Sequence, residues 1–256
     1  MKEKEQNNEE FIAGRNSVLE AIRSGRTINK LLVFKGEWTG ALKEITGLAR
    51  ERGIVIQEVE GNRLDQVAGD TRHQGVVALV APVAYVDTAD ILEIARQRGE
   101  VPLVVLLDEM NDPHNVGAIL RTVDAAGAHG VLLPKRRSCP LTQTVAKTSA
   151  GAVEHVPVAR IGNVSQTLKQ LKAAGLWVVG ADMNGDREYH EVDLTGPIVL
   201  VVGNEGEGMS RLTRETCDYL VRIPMRGKIN SLNASVACAL LLYEAVRQRG
   251  SAAACP

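Results

Sequence analysis

The run Ile198-Val-Leu-Val-Val-Gly-Asn-Glu-Gly-Glu-Gly208 leads five consecutive apolar residues straight into a turn with three glycines in six positions. A strand that is apolar at every position is buried on both faces. That is the signature of a parallel sheet covered by helices, not of an antiparallel sheet with one wet face. Working outward, the same kind of run recurs at Leu103–Leu107, Gly130–Leu133, His155–Val158 and Leu176–Gly180 before it, and at Tyr219–Ile223 after it. Helical periodicity fills most of the intervals, so residues 101–250 are expected to form an α/β domain around a parallel sheet.

Upstream, residues 11–81 alternate the two periods on a smaller scale. A short helix capped at Asn16 or Ser17 runs to Arg23, a second covers Ala41–Arg50 and a third piece Asn62–Ala68. Strands are expected at Leu31–Phe34, Ile54–Ile56 and Val76–Val80. Residues 82–100 then read as a linker: Pro82, a helix from about Ala89 to Arg98, and Gly99 just ahead of Pro102. The first ten residues, MKEKEQNNEE, are expected to be a disordered tail.

Composition excludes several classes of function. Of the 256 residues, 45% are hydrophobic, enough for a real core. Aromatics are only 3%, which argues against a platform of stacked rings for single-stranded nucleic acid. With a net charge of -1, any attraction to RNA or DNA must come from local clusters. Residues 11–80 hold ten Lys or Arg against eight Asp or Glu. There Arg15, Arg23, Arg26, Lys30 and Lys35 form either a basic face or an ordinary solvated surface. Lys135-Arg136-Arg137 is likewise either a phosphate contact or a solvated loop. The cysteines Cys139, Cys217, Cys238 and Cys255 are too scattered for a zinc site or a disulfide framework, and the five histidines lack ligand spacing. No apolar run approaches the ~18 residues of a membrane span, so a cytoplasmic protein without metal or membrane partner is expected.

Ligands of open α/β sheets bind at the carboxyl ends of the strands, so the loops there carry the functional reading. Three are unusual. Asp108-Glu-Met-Asn-Asp-Pro-His-Asn-Val-Gly117 is read as a tight turn, with Asn115 at or near the cap of a helix Ala118–Ala126 and Arg121 in its early turns. There a cation sits oddly against the helix dipole, although a solvated Arg explains it equally. Gly203–Gly208 spaces its glycines as G-x-x-G-x-G, neither the dinucleotide fingerprint nor a P-loop. Its Glu205 and Glu207 suit a cationic or ribose-bearing ligand better than a phosphate; a plain strand-ending turn is the alternative. In the third loop, Pro224 to Asn233, capping of the last helix explains either Ser231 or Asn233, but not both together with Asn230.

Taken together, DPHNVGAILRT, VGNEGEGMS and SLNASVA resemble, in order and spacing, the three signature motifs of the SpoU (TrmH) branch of the SPOUT RNA methyltransferases. PKRRS and SAGAVEHVPVAR match the same subgroup. RHQGVVALV closes an N-terminal unit similar to the substrate-binding domain of bacterial 23S rRNA guanosine 2′-O-methyltransferases, which resembles RNA-binding ribosomal proteins. The resemblance implies a deep trefoil knot near the C-terminus, an obligate homodimer, S-adenosylmethionine as cofactor and 23S rRNA as substrate, the alternatives being a tRNA ribose methyltransferase of the same family or a non-catalytic RNA-binding protein of ribosome assembly. By motif, Gly203, Ile223 and Leu232 would contact the methyl donor, and Asn115, Arg121, Glu205, Ser231 and Asn233 would line the catalytic centre. Departures from the pattern are Val123 for a common Ala and Ala234 for a frequent Val, and neither changes a polar group. The family's proposed base corresponds to Arg121. A guanidinium is a poor base, so gripping the target phosphate is the role expected of it.

Overall fold

The computed structural model describes residues 10–38, 40–81 and 83–253, with side chains to residue 250. The expected tail (apart from Glu10), Pro82 of the linker and Cys255 therefore lie outside the described residues. Contacts divide the chain into two units, one holding the chain up to Ala84 with Pro140–Thr144, the other Tyr85–Cys139 and the chain from Val145 on.

The first unit runs β1 (Phe11–Ala13), α1 (Arg15–Arg23), β2 (Ile28–Phe34), α2 (Ala41–Glu51), β3 (Ile56–Val59), α3 (Gly61–Ala68) and β4 (Val76–Val80). Its sheet has the order β1-β4-β2-β3, with β2 and β3 parallel and the other pairs antiparallel. Alternation along the strands sorts the core into two layers. Leu31, Val33, Val76 and Ala78 pack with Val18 and Ile22 of α1 and with Leu42, Ile45 and Ala49 of α2. Leu32, Val77 and Leu79 face the other way, onto Leu64 and Ala68 of α3. In α2 the buried positions Leu42, Ile45, Thr46 and Ala49 follow the i, i+3, i+4, i+7 spacing of a single helical stripe.

The second unit comprises α4 (Thr88–Arg98), β5 (Leu103–Leu107), α5 (Pro113–Ala125), β6 (Gly130–Pro134), most of α6 (Gln143–Thr148), β7 (Val158–Ile161), α7 (Val164–Ala173), β8 (Trp177–Ala181), β9 (Arg187–Glu188), β10 (Ile198–Val202), α8 (Arg211–Thr216), β11 (Tyr219–Arg222) and α9 (Ala234–Ala253). Seven strands form one sheet in the order β7-β6-β5-β10-β8-β11-β9, and every pairing is parallel. Strands β5, β6 and β10 are buried at every position, as their unbroken apolar runs require. Among the described residues no helix is long and apolar enough to cross a membrane.

Several elements differ from their sequence reading. The first helix starts at Arg15 behind Gly14, so Asn16 and Ser17 lie within it and neither caps it, and β3 runs Ile56–Val59 rather than Ile54–Ile56. The strand expected at His155–Val158 begins only at Val158, because a 3-10 turn at Ala152–Glu154 leads into Pro157. Pro157 has no N–H for the ladder and contributes only its carbonyl, to Val131 N. The helix expected from Ala118 begins five residues earlier. Asp112 caps it by accepting from His114 N, and Pro113 takes the first helical position, where its missing N–H costs nothing. Asn115 is thus inside the first turn, and Gly117 is a packing glycine rather than a turn glycine. A Cβ there would lie 1.9 Å from Thr148 Oγ1.

Candidate active site

The carboxyl ends of β8, β10 and β11 open into a cleft of about 240 Å³. Asp182, Met183 and Asn184 follow β8, the turn Gly203–Gly208 follows β10, and Ile223, Met225, Ser231 and Leu232 come from the segment after β11. The turn after β10 is closed by its own backbone: Asn204 and Gly208 exchange N–H to carbonyl bonds of 3.2 and 3.1 Å, with Gly208 at φ +70°. Asn204 Oδ1 also accepts from Gly206 N and Glu207 N at 2.9 and 2.7 Å. This tight closure leaves no room at Gly203, where a Cβ would sit 2.1 Å from Gly208 C. The next segment is anchored from β5, since the buried Asp108 carboxylate accepts Ser210 N at 2.8 Å at the cap of α8.

Beside the cleft three distant side chains meet. Asn115 Nδ2 donates to Glu205 Oε1 at 3.0 Å, and Asn233 Nδ2 donates both to Asn115 Oδ1 at 2.9 Å and to Glu205 Oε1. Ala234 N adds a longer contact to the same oxygen at 3.4 Å. Asn233 Oδ1 is committed elsewhere, capping α9 through Ser235 N at 2.9 Å and Val236 N at 3.3 Å. Its Nδ2 therefore has to face the carboxylate. The structure thus brings Asn115, Glu205 and Asn233 together. Gly203, Glu205, Ile223, Ser231 and Leu232 line the cleft. Arg121 does neither: it stands exposed on α5, outside the lining.

Sequence reading missed Asp182, Met183, Asn184 and Arg214. The signal for the first three was available, because Ala181-Asp-Met-Asn-Gly-Asp186 follows a strand at the edge where ligands bind. Arg214 arrives from α8, and its Nε lies 2.8 Å from the buried Asp182 carboxylate, an ion pair whose N–H is not aligned for a hydrogen bond. With Asp182 so neutralised, the carboxylates left on the turn are Glu205 and Glu207, a setting for a cation. Burial, which disfavours the charged thiolate, holds Cys217 and Cys238 at about 12, so neither supplies a nucleophile. Among the described residues no cluster of three or more His, Cys, Asp or Glu is placed to hold a metal.

A parallel sheet with a cleft at its carboxyl edge and an Asn-Glu-Asn cluster beside it defines a class, the α/β proteins that bind a ligand at the strand ends. Residues 102–243 match the SpoU rRNA methylase family, and residues 11–86 match the substrate-binding domain of RNA 2′-O ribose methyltransferases. The chain belongs to the SpoU (TrmH) family, whose members transfer methyl groups from S-adenosylmethionine to tRNA or rRNA. A putative TrmH family tRNA/rRNA methyltransferase of Bacillus subtilis, YacO, is 46% identical over 94% of this chain and 96% of its own. Among solved structures, the SpoU methyltransferase AviRb of Streptomyces viridochromogenes bound to S-adenosylmethionine superposes with a TM-score of 0.61, at 30% identity over 95% of this chain and 92% of its own. An S-adenosylmethionine-bound rRNA methyltransferase of Sinorhizobium meliloti gives 0.58, at 28% identity over 95% and 89%.

The residues present fit that donor. The backbone of the closed turn Gly203–Gly208 forms one wall, Ile223, Met225 and Leu232 offer apolar surface, and Glu205 supplies negative charge for a cation. When bound, S-adenosylmethionine supplies a methyl carbon made electrophilic by its sulfonium.

Proposed function

We propose that this chain methylates the ribose 2′-hydroxyl of a guanosine in 23S rRNA, in the peptidyl-transferase region, working as a cytoplasmic homodimer. The observation that carries the reading is the meeting of Asn115, Glu205 and Asn233 from three separated segments at one edge of the donor cleft. The choice of rRNA is favoured by the N-terminal unit, since the Sinorhizobium meliloti rRNA methyltransferase aligns over 95% of the chain.

In this reading Gly203, Ile223 and Leu232 hold the donor largely through backbone groups. Asn115, Ser231 and Asn233 orient the ribose, while Glu205 acts through position and charge rather than by attack. Alignment of the sugar oxygen with the methyl carbon supplies much of the rate, because a displacement needs its reactants in line. Arg121 grips the target phosphate and stabilises the developing alkoxide, with the proton leaving to phosphate or water.

Arg121 lies outside the lining of its own cleft, and α5 packs against α9. Val236, Leu240 and Tyr243 of α9 form an exposed apolar row at i, i+4, i+7 spacing, the kind of stripe that a partner helix covers. In this reading a second copy docks there and Arg121 serves the partner's cleft.

Mapping ribose methylation in 23S rRNA and tRNA from cells with and without this protein tests the assignment. Loss at one guanosine of the peptidyl-transferase region is expected. Loss confined to tRNA would overturn it.

A further inference from the structure

β6 ends on Pro134, and the chain continues as Lys135-Arg136-Arg137-Ser138 at the same carboxyl edge of the sheet as the cleft. On the neighbouring strand β7, Arg160 pairs in register with Leu133. Its guanidinium lies 5.3 Å from the centre of the Tyr85 ring and donates to Tyr85 Oη at 3.4 Å and to the Lys135 carbonyl at 2.7 Å. Its Nε is buried without a hydrogen-bond partner, and among the described residues no carboxylate pairs with it. That Nε is closed to solvent, so an anion meets Arg160 through the second hydrogens of Nη1 and Nη2, of which one each is spent on Tyr85 and Lys135.

The basic loop is also fastened. Arg137 Nη1 lies 3.0 Å from Glu109 Oε1, and Cys139 N donates to Met110 O at 2.7 Å. Arg137 and Glu109 both hold φ +55°, a left-handed backbone that non-glycine residues keep only when their surroundings impose it. Glu109 and Met110 belong to the segment that leads from β5 to Asn115, so the loop is set rigidly relative to the cleft. Among the described residues Arg137 pairs with Glu109, while neither Arg136 nor Arg160 has a carboxylate partner. In the sheet, β6 stands two places from β10, about 10 Å at the usual strand spacing of about 4.8 Å. A single RNA strand covers that distance in a few nucleotides.

We propose that Arg136 and Arg160, flanked by Lys135 and Arg137, form a phosphodiester-binding platform that holds the RNA strand beside the nucleotide whose ribose enters the cleft. The inference rests on the RNA methyltransferase reading above. It assigns these residues to backbone positioning, which carries no sequence information of its own.

Binding of the full-length protein to a 23S rRNA transcript, with unmodified bulk tRNA in parallel, is measured across a potassium chloride series for the parent, Lys135→Ala with Arg136→Ala, Arg160→Gln, and Arg136→Lys. Loss of two phosphate contacts is expected to weaken RNA binding about tenfold and to flatten the salt slope by about 1.4, near 0.7 per contact on single strands. Arg160→Gln should flatten it by about half as much, and Arg136→Lys should keep the parent slope, because a point charge suffices for a phosphate. Calorimetry with S-adenosylmethionine reports that each variant is folded. Variants with the parent's affinity and slope would overturn the platform, as would a parent that binds neither RNA. A flattened slope in a protein that methylates neither RNA would leave the platform standing and remove the proposed function.

Discussion

Asn233 Nδ2 sits 2.9 Å from Asn115 Oδ1, joining two residues 118 positions apart, while Asn233 Oδ1 caps the helix that follows it. One amide thus holds the start of α9 and orients the carboxylate of Glu205. The two duties separate by substitution. Asn233→Ser keeps a capping oxygen and is expected to hold stability within about 0.5 kcal/mol. It removes the amide donor, and methyl transfer should fall about 100-fold, the usual cost of a reacting group displaced by about 1 Å. Asn233→Ala should lose the same activity and about 1 kcal/mol of stability as well. Thermal unfolding alongside methyl incorporation separates the two, and parent-like turnover in Asn233→Ser would refute the arrangement.

Gly203→Ala tests the donor cradle. A Cβ 2.1 Å from Gly208 C cannot be accommodated by moving a flexible side chain, since both sides of the clash are backbone. The turn must open, and S-adenosylmethionine affinity measured by calorimetry should drop at least ~100-fold, equivalent to about 2.7 kcal/mol. RNA binding at the basic loop after β6 should be untouched.

Cys217 and Cys238 should behave as inert core thiols. Burial raises both to about 12, with the neighbouring Asp218 charge adding to the effect at Cys217. Native protein treated with iodoacetamide at mildly alkaline pH should show neither residue alkylated by mass spectrometry, whereas urea-unfolded protein should show both. The sign for stability follows. Folding favours the neutral thiol, so this contribution is complete below the ordinary value of 9.0 and is lost as pH rises from there toward 12. Each thiol should steepen alkaline destabilisation by about 1.4 kcal/mol per pH unit. A denaturation midpoint flat across that window would contradict it.

A charge placed in the α9 row, Leu240→Glu with Tyr243→Glu, should convert the protein to monomers in sedimentation and abolish methyl transfer, because a desolvated carboxylate cannot sit in an apolar interface. Mixing Arg121→Ala with Asn233→Ala protein carries the argument further. If Arg121 serves the partner's cleft, exchanged heterodimers contain one complete site. About a quarter of parent activity should then return by statistical reassortment of a two-fold dimer. No recovery would assign Arg121 to its own subunit.

Much of this was legible in the residues. β10 ran from Ile198 to Val202 as read, because a strand buried on both sides announces itself by composition alone. Elements with few residues were silent: β1 has three and β9 two, too few for periodicity to register. The beginning of α5 was obscured because Pro113 and Gly117 carry turn propensity locally. Their actual reasons are a free first-turn position and the close approach of Thr148, and the second cannot be seen along one dimension. Similarly, motif order pointed to Asn115, Glu205 and Asn233. Which oxygen each amide would face depended on the capping of α9, a geometric fact. Arg121 stands exposed and apart from the cleft, a placement that motif order does not disclose.

From Ile223 to Leu232 the chain makes no hydrogen bond to any described residue, although five of its members wall the cleft. Fixing such a segment costs on the order of 1 kcal/mol per residue in backbone entropy. Donor affinity should therefore respond to changes that stiffen these ten residues as strongly as to changes in what they touch. Uptake of the donor should also carry the thermodynamic signature of a small folding reaction, a negative heat-capacity change with enthalpy offset by ordering.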